Sequence, residues 1–182
     1  MSGAKRIVKI APGHNAKFWD ECLKEGFICV GWDAVGDLRQ FESEASFKSK
    51  FAETSGSYHN YNQQMLTKKA RELWTLIKLK PGDIVIANQG ISKILGIGEV
   101  VEPGYEFKEE RPEFKHIVWV DWDTSYQKEI EPQKRWAFKA IENISAEMYS
   151  KLFPETNMVP VASVFKEIAD ALESKGQAIL YG

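Results

Sequence analysis

The chain has 182 residues, 43% hydrophobic and 27% charged, which is long enough for one domain plus an appendage without metal or disulfide staples. A net charge of −2 excludes a protein that coats nucleic acid by charge alone, because such affinity sums many phosphate contacts. No apolar run is long enough to span a bilayer and the first residues lack the apolar core of a signal peptide, so the expected location is cytoplasmic. Cys22 and Cys29 have no second Cys or His at ligand spacing; they predict buried thiols and no metal or cofactor. Six Trp, six Tyr and ten Phe leave rings over for a binding surface once a core is filled.

In chain order, Arg6 to Ile10 predicts a first strand, broken at Pro12-Gly13. His14 or Asn15 then caps a helix with Ala16, Trp19, Cys22 and Leu23 on one face, ended by Gly26. Phe27 to Val30 predicts a buried strand that delivers Gly31-Trp32-Asp33 into a loop. Ser43 or Ser46 opens a short helix with Phe47 and Phe51 four apart, and a longer helix runs from about Asn62 to Lys78. Lys80-Pro81-Gly82-Asp83 is a tight turn, followed by a hairpin of Ile84 to Ala87 and Ile94 to Val101 around Asn88-Gln89-Gly90. The acidic stretch Glu102 to Lys115, with Pro103, Gly104 and Pro112, predicts a loop. His116 to Trp122 alternates as a strand, Tyr126 to Ile130 extends the sheet, Ala137 to Ile141 closes it, and Ser145 caps a helix through Leu152. Beyond Pro154 the pattern predicts a linker, a helix over Val161 to Ser174, and a last strand. The expected fold is α+β, a small, twisted, barrel-like mixed sheet with flanking helices.

This order of pieces resembles the EVE-type branch of the PUA-like superfamily, whose relatives include the YTH readers of methylated RNA. The likeness runs from residue 6 to about 152 and rests on the strand ending in Gly31-Trp32, the Lys80 to Asp83 turn, the paired glycines Gly96 and Gly98, and Val118-Trp-Val-Asp-Trp122. Lys175-Gly-Gln-Ala-Ile-Leu-Tyr-Gly182 resembles the strand entering the phosphate-binding loop of McrB-type AAA+ GTPases. The resemblances imply a modified-base-reading domain over 1–154 and, over 155–182, a linker helix and the first strand of a truncated motor domain. They imply the DNA-binding specificity domain of a McrBC-like restriction system. Its partners would be double-stranded DNA with a modified base and, through the missing motor, a McrC-like nuclease. The isolated domain would be monomeric and the full-length protein an oligomeric ring.

A base flipped out of a duplex needs a slot of aromatic rings with polar groups for its edge, and each ring can return about 1–3 kcal/mol by stacking. Trp32 heads a loop after a buried strand and matches by position the cage Trp of the YTH domains, which makes it the first choice for a cage wall; the alternative is packing under its own loop. Tyr105 and Phe107 stand where the opposite wall is expected, or merely anchor the loop. His14 and Asn15 align with the YTH segment that reads the base edge, Asn also being a common helix cap; Asp33 either accepts an exocyclic amine or caps its loop. Asn88, Gln89, Ser92, Lys93, Lys134, Arg135 and Trp136 are expected DNA contacts, with Lys9, Lys17, Lys68, Lys69 and Arg71 as further phosphate-binding cations. Trp74 and Trp119 are assigned to the core. The likeness to YTH domains favours 6-methyladenine over 5-methyl- or 5-hydroxymethylcytosine.

No Ser/His/Asp or Cys/His spacing points to a nucleophile, and Gly96-Ile-Gly98 lacks the third glycine of a dinucleotide loop, so a binding domain rather than an enzyme is expected. The alternatives are a YTH-like reader of methylated RNA, a PUA-like nuclease, and a protein-interaction domain whose aromatics form a partner groove.

Overall fold

A computed structural model describes residues 3–56 and 60–154. The helix expected over Val161 to Ser174, the strand expected over Lys175 to Gly182, and with them the whole segment 155–182 expected to lead into a motor domain, lie outside the described residues. Contacts divide the chain between Ser145 and Ala146, ahead of the last described helix rather than after it. That helix, α4, spans Ala146–Leu152.

The first unit is α+β, built on a mixed sheet of seven strands: β1 (Ile7–Ile10), β2 (Phe27–Val30), β3 (Ile84–Gln89), β4 (Lys93–Phe107), β5 (His116–Asp123), β6 (Lys128–Glu129) and β7 (Ile141–Asn143). Their order is β2-β5-β4-β3-β1-β7, with β6 on β4. Only β1 and β3 pair in parallel. The expected barrel-like closure does not occur, because β2 and β7 end the path with one partner each among the described strands. β7 is the edge beside β1 and begins at Ile141; the expected strand at Ala137 is instead a 3-10 turn over Lys134–Phe138.

Local chemistry explains the helices. α1 (Trp19–Glu25) stops at Gly26, whose φ of 80° is the left-handed cap that glycine adopts freely. Neither His14 nor Asn15 caps it: the helix starts after Phe18, and Asn15 has turned to φ 52° inside a separate 3-10 turn. In α2 (Glu44–Ser55) Ser43 and Ser46 satisfy each other's backbone as a capping box. The Asn62 side chain accepts from the Met65 amide to start α3 (Gln63–Lys78), which buries Leu66, Ala70, Leu73 and Trp74 at helical spacing. Phe47 of α2 stacks on Trp74 of α3 with ring centroids 4.9 Å apart, a contact worth about 0.5–1.5 kcal/mol beyond its burial. Asp83 closes the turn after α3 by accepting from the Arg6 and Lys80 amides, 2.9 Å each, which ties β1 to β3.

The loop expected from Glu102 is strand as far as Phe107. Val100 pairs with Val120 and Tyr105 with Val118, so residues 101–104 face Trp119 alone and the strand bulges there. The Pro and Gly that look like loop punctuation sit in that bulge. At Gly98 an added Cβ would meet Val120 Cγ1 at 2.4 Å and the Asp121 carbonyl at 2.5 Å, so the close approach of β4 to β5 requires glycine. Trp119 and Trp122 leave opposite faces of β5, both half-buried, against Phe27 and Trp19 respectively.

Candidate functional site

The ends of β1, β2 and β3 and the turn before β7 surround a cavity of about 930 Å³. Its aromatic walls are Trp32, Trp136, Tyr61, Phe114 and Phe138, and its polar groups include His14, Asn15, Asp33 and Asn88. A volume near the upper end of the ~300–1,000 Å³ usual for small-ligand sites admits a nucleobase together with its sugar.

Trp32 reaches this wall through an unusual backbone. Its φ of 64° and ψ of 38° are left-handed, which costs a non-glycine residue about 1–2 kcal/mol. Two contacts hold it there. Phe51 of α2 meets the indole edge-on at 6.2 Å, and His116 Nε2 donates to the Trp32 carbonyl at 3.3 Å. Since a carbonyl only accepts, the proton of His116 is on Nε2 and Nδ1 must accept; the Tyr105 hydroxyl donates to it at 2.8 Å and itself accepts from the Leu38 amide at 3.1 Å. Burial pushes His116 down to about 4, and burial likewise raises the Tyr105 phenol.

Tyr105 and Phe107 are therefore not the opposite wall. Both are buried, at 7% and 8% exposure, and both pack on His116, beneath the loop that carries Trp32. The strand pairing after the bulge turns them inward. Trp136, expected on the DNA-facing surface, is instead only 4% exposed and within the cavity lining. Phe114 (φ 54°), another ring of the lining, is packed on Phe18 at 4.6 Å. No sequence periodicity flagged Tyr61, Phe114 or Phe138; these rings come together through tertiary contacts.

The polar groups divide in the same way. Asp33 Oδ1 accepts from the Lys115 amide at 2.8 Å and so closes its loop, while burial raises its carboxyl above the usual range. Asn15 lines the cavity and its carbonyl accepts from Gln89 Nε2 at 3.1 Å. Gln89, Ser92 and Lys93 are outside the lining: the Ser92 carbonyl takes the Ile130 amide, and Lys93 begins β4.

Asn88 is the group that stands out. The β3–β4 register shifts between Ala87 and Asn88, the kind of bulge that re-aims a side chain. Asn88 is buried in the cavity wall; its Nδ2 donates to the Gly90 carbonyl at 2.8 Å, and its Oδ1 has no partner among the described residues. The amide cannot be reversed, since Oδ1 would then oppose a carbonyl oxygen. A buried acceptor left unpaired costs about 1–3 kcal/mol; Oδ1 is sealed from solvent, so a ligand donor reaches it only when the wall around it shifts.

The expected phosphate-binding cations do not all face outward. Lys9 is fully buried, its Nζ donating to the Lys139 carbonyl and lying 5.5 Å from the Trp136 ring centre; burial lowers it to about 8. Lys69 turns inward to Glu72 at 2.8 Å, and Lys17 pairs with Glu113 at 2.6 Å. Lys134 and Arg135 remain exposed, Arg135 reaching Glu142 at 2.9 Å. Among the described residues no cluster of His, Cys, Asp and Glu could hold a metal ion, and no helix is long and apolar enough to cross a membrane. Cys22 and Cys29 are free buried thiols with Sγ atoms 3.6 Å apart.

The first unit is thus an α+β domain with an aromatic-lined cavity at the ends of its parallel strands β1 and β3. The chain itself belongs to the family described as Domain of unknown function (DUF8426), whose sequence model matches residues 8–145. That span coincides with the sheet, its helices and the whole cavity lining. No curated protein matches the chain.

Proposed function

We propose that this domain reads duplex DNA by taking an extruded, modified base between Trp32 and Trp136, with 6-methyladenine favoured over 5-methyl- or 5-hydroxymethylcytosine. The observation that carries the reading is the cavity itself, which joins two indoles from distant parts of the chain with an unpartnered buried acceptor at Asn88. Aromatic rings in the lining suit a flat π-system, and added methyl surface strengthens contact with them. Asn88 Oδ1 suits the exocyclic N–H of adenine or cytosine, including the one N–H that 6-methyladenine keeps.

The likeness to EVE and YTH domains supports the same reading. The phrase Lys175 to Gly182, similar to the strand entering a McrB-type phosphate-binding loop, supports a role as the specificity domain of a GTPase motor acting with a McrC-like nuclease. On this reading the domain performs no chemistry of its own. A reader of methylated RNA would use the same cavity, and competition between matched DNA and RNA oligonucleotides separates the two, because groove shape and the 2′-hydroxyl differ.

Exposed Lys134 and Arg135 flank the Trp136 wall and are assigned to phosphate. Exchanging both for glutamate is expected to weaken binding evenly across sequences and to reduce the slope of log affinity against log salt by about 2. Loss confined to one sequence context would instead make them base readers.

A further inference from the structure

The turn carrying Trp136 holds a second ring with the opposite exposure. Phe138 is 79% exposed, against 38–41% for the other exposed large hydrophobics, Leu23, Met65 and Val101. It belongs to the cavity wall, so this apolar ring stands in water at the mouth of the site.

Its backbone is held firmly. The Phe138 carbonyl accepts from Lys69 Nζ, and the next carbonyl, Lys139, accepts from the fully buried Lys9. Glu72 Oε2 accepts from the Ala140 and Ile141 amides at 3.0 and 3.3 Å, and its other oxygen holds Lys69 at 2.8 Å. Burying two ammonium groups and a carboxylate is costly unless all are paired. Here these hydrogen bonds fix the backbone of a segment that buries Trp136 and Ile141 and leaves Phe138 outside.

We propose that Phe138 is a wedge that enters the base stack of the duplex and fills the gap left when the target base turns into the cavity. Apolar side chains on minor-groove and architectural proteins enter base steps in this way, offsetting part of the unstacking cost. The occupant is a base stack rather than a protein groove because the ring is single and its turn begins with exposed Lys134 and Arg135, which suit flanking phosphates. This inference rests on the base-reading proposal.

The test measures wild type and Phe138→Ala against three ligands: a duplex with one 6-methyladenine, the same modified strand unpaired, and the unmodified duplex. Phe138→Ala is expected to lose at least about tenfold on the modified duplex and less than about threefold on the single strand, where nothing must be unstacked. Phe138→Leu, which keeps an apolar wedge, is expected to restore most of the duplex affinity. Equal losses on duplex and single strand, or no loss on the duplex, would overturn the wedge while leaving base reading intact. If wild type binds all three alike, base reading fails and the wedge with it.

Discussion

Replacing Trp32 with alanine is expected to lower affinity for a duplex carrying the modified base by roughly 5- to 150-fold, the equivalent of losing one stacking partner worth about 1–3 kcal/mol. Affinity for the unmodified duplex, which rests on phosphate contacts, should change little, so the preference between the two collapses. The half-buried indole also packs edge-on against Phe51, and a folding defect must be separated from a binding defect. Trp32→Gly does this. Glycine accepts the φ of 64° without the penalty that alanine retains, so this variant should be the more stable of the two yet equally unable to discriminate. If both variants keep the preference for the modified duplex, Trp32 is not a wall of the site.

Acid is expected to destabilise the fold through His116. In the unfolded chain this imidazole titrates near 6.5, whereas burial holds it at about 4 in the folded protein. Between those values the unfolded chain binds a proton that the folded protein refuses. Stability is therefore full above about 6.5, falls as pH drops through the window, and levels off below about 4. The difference of about 2.5 units corresponds to a loss of roughly 3 kcal/mol. Protonation would also place a proton on Nδ1, which now accepts from Tyr105, and so disturb the chain of hydrogen bonds that ends at the Trp32 carbonyl. Denaturant unfolding at pH 7 and pH 4 measures the change, with His116→Gln as the reference that lacks the titrating group. Equal loss in both proteins would assign the acid sensitivity to carboxylates instead.

Much of this fold is readable from local signals. The α3 stripe, the Ser43 cap, the Lys80 to Asp83 turn and the span of β5 follow from period and capping chemistry alone, although β5 buries His116, Ile117 and Val118 in succession rather than alternating. Glu102 to Phe107 does not, because proline, glycine and acidic residues mark a loop unless the β5 partner is known. Closure of the sheet is equally invisible to periodicity, which describes each strand but not which edges meet.

The lining of the candidate cavity was legible in part. Trp32, His14, Asn15, Asp33 and Asn88 do line one cavity, each lying just past the end of a strand or, for Asn88, at a bulge near its end. Tyr105 stands close to Trp32 in the fold but below it, and only strand register tells the two faces apart. Trp136 and Phe138 share one short turn yet have opposite exposures. Beneath that turn, Lys9, Lys69 and Glu72 hold its backbone, whereas Lys9 and Lys69 read in the sequence as phosphate-binding cations.

The central claim is that the cavity receives a modified base, and one titration tests it most directly: two otherwise identical duplexes, one with a single 6-methyladenine, against the wild-type protein at fixed salt. The account predicts tighter binding to the modified duplex, with the advantage removed by Trp32→Ala. Equal affinity for the two, repeated with 5-methyl- and 5-hydroxymethylcytosine in place of the methylated adenine, would contradict it.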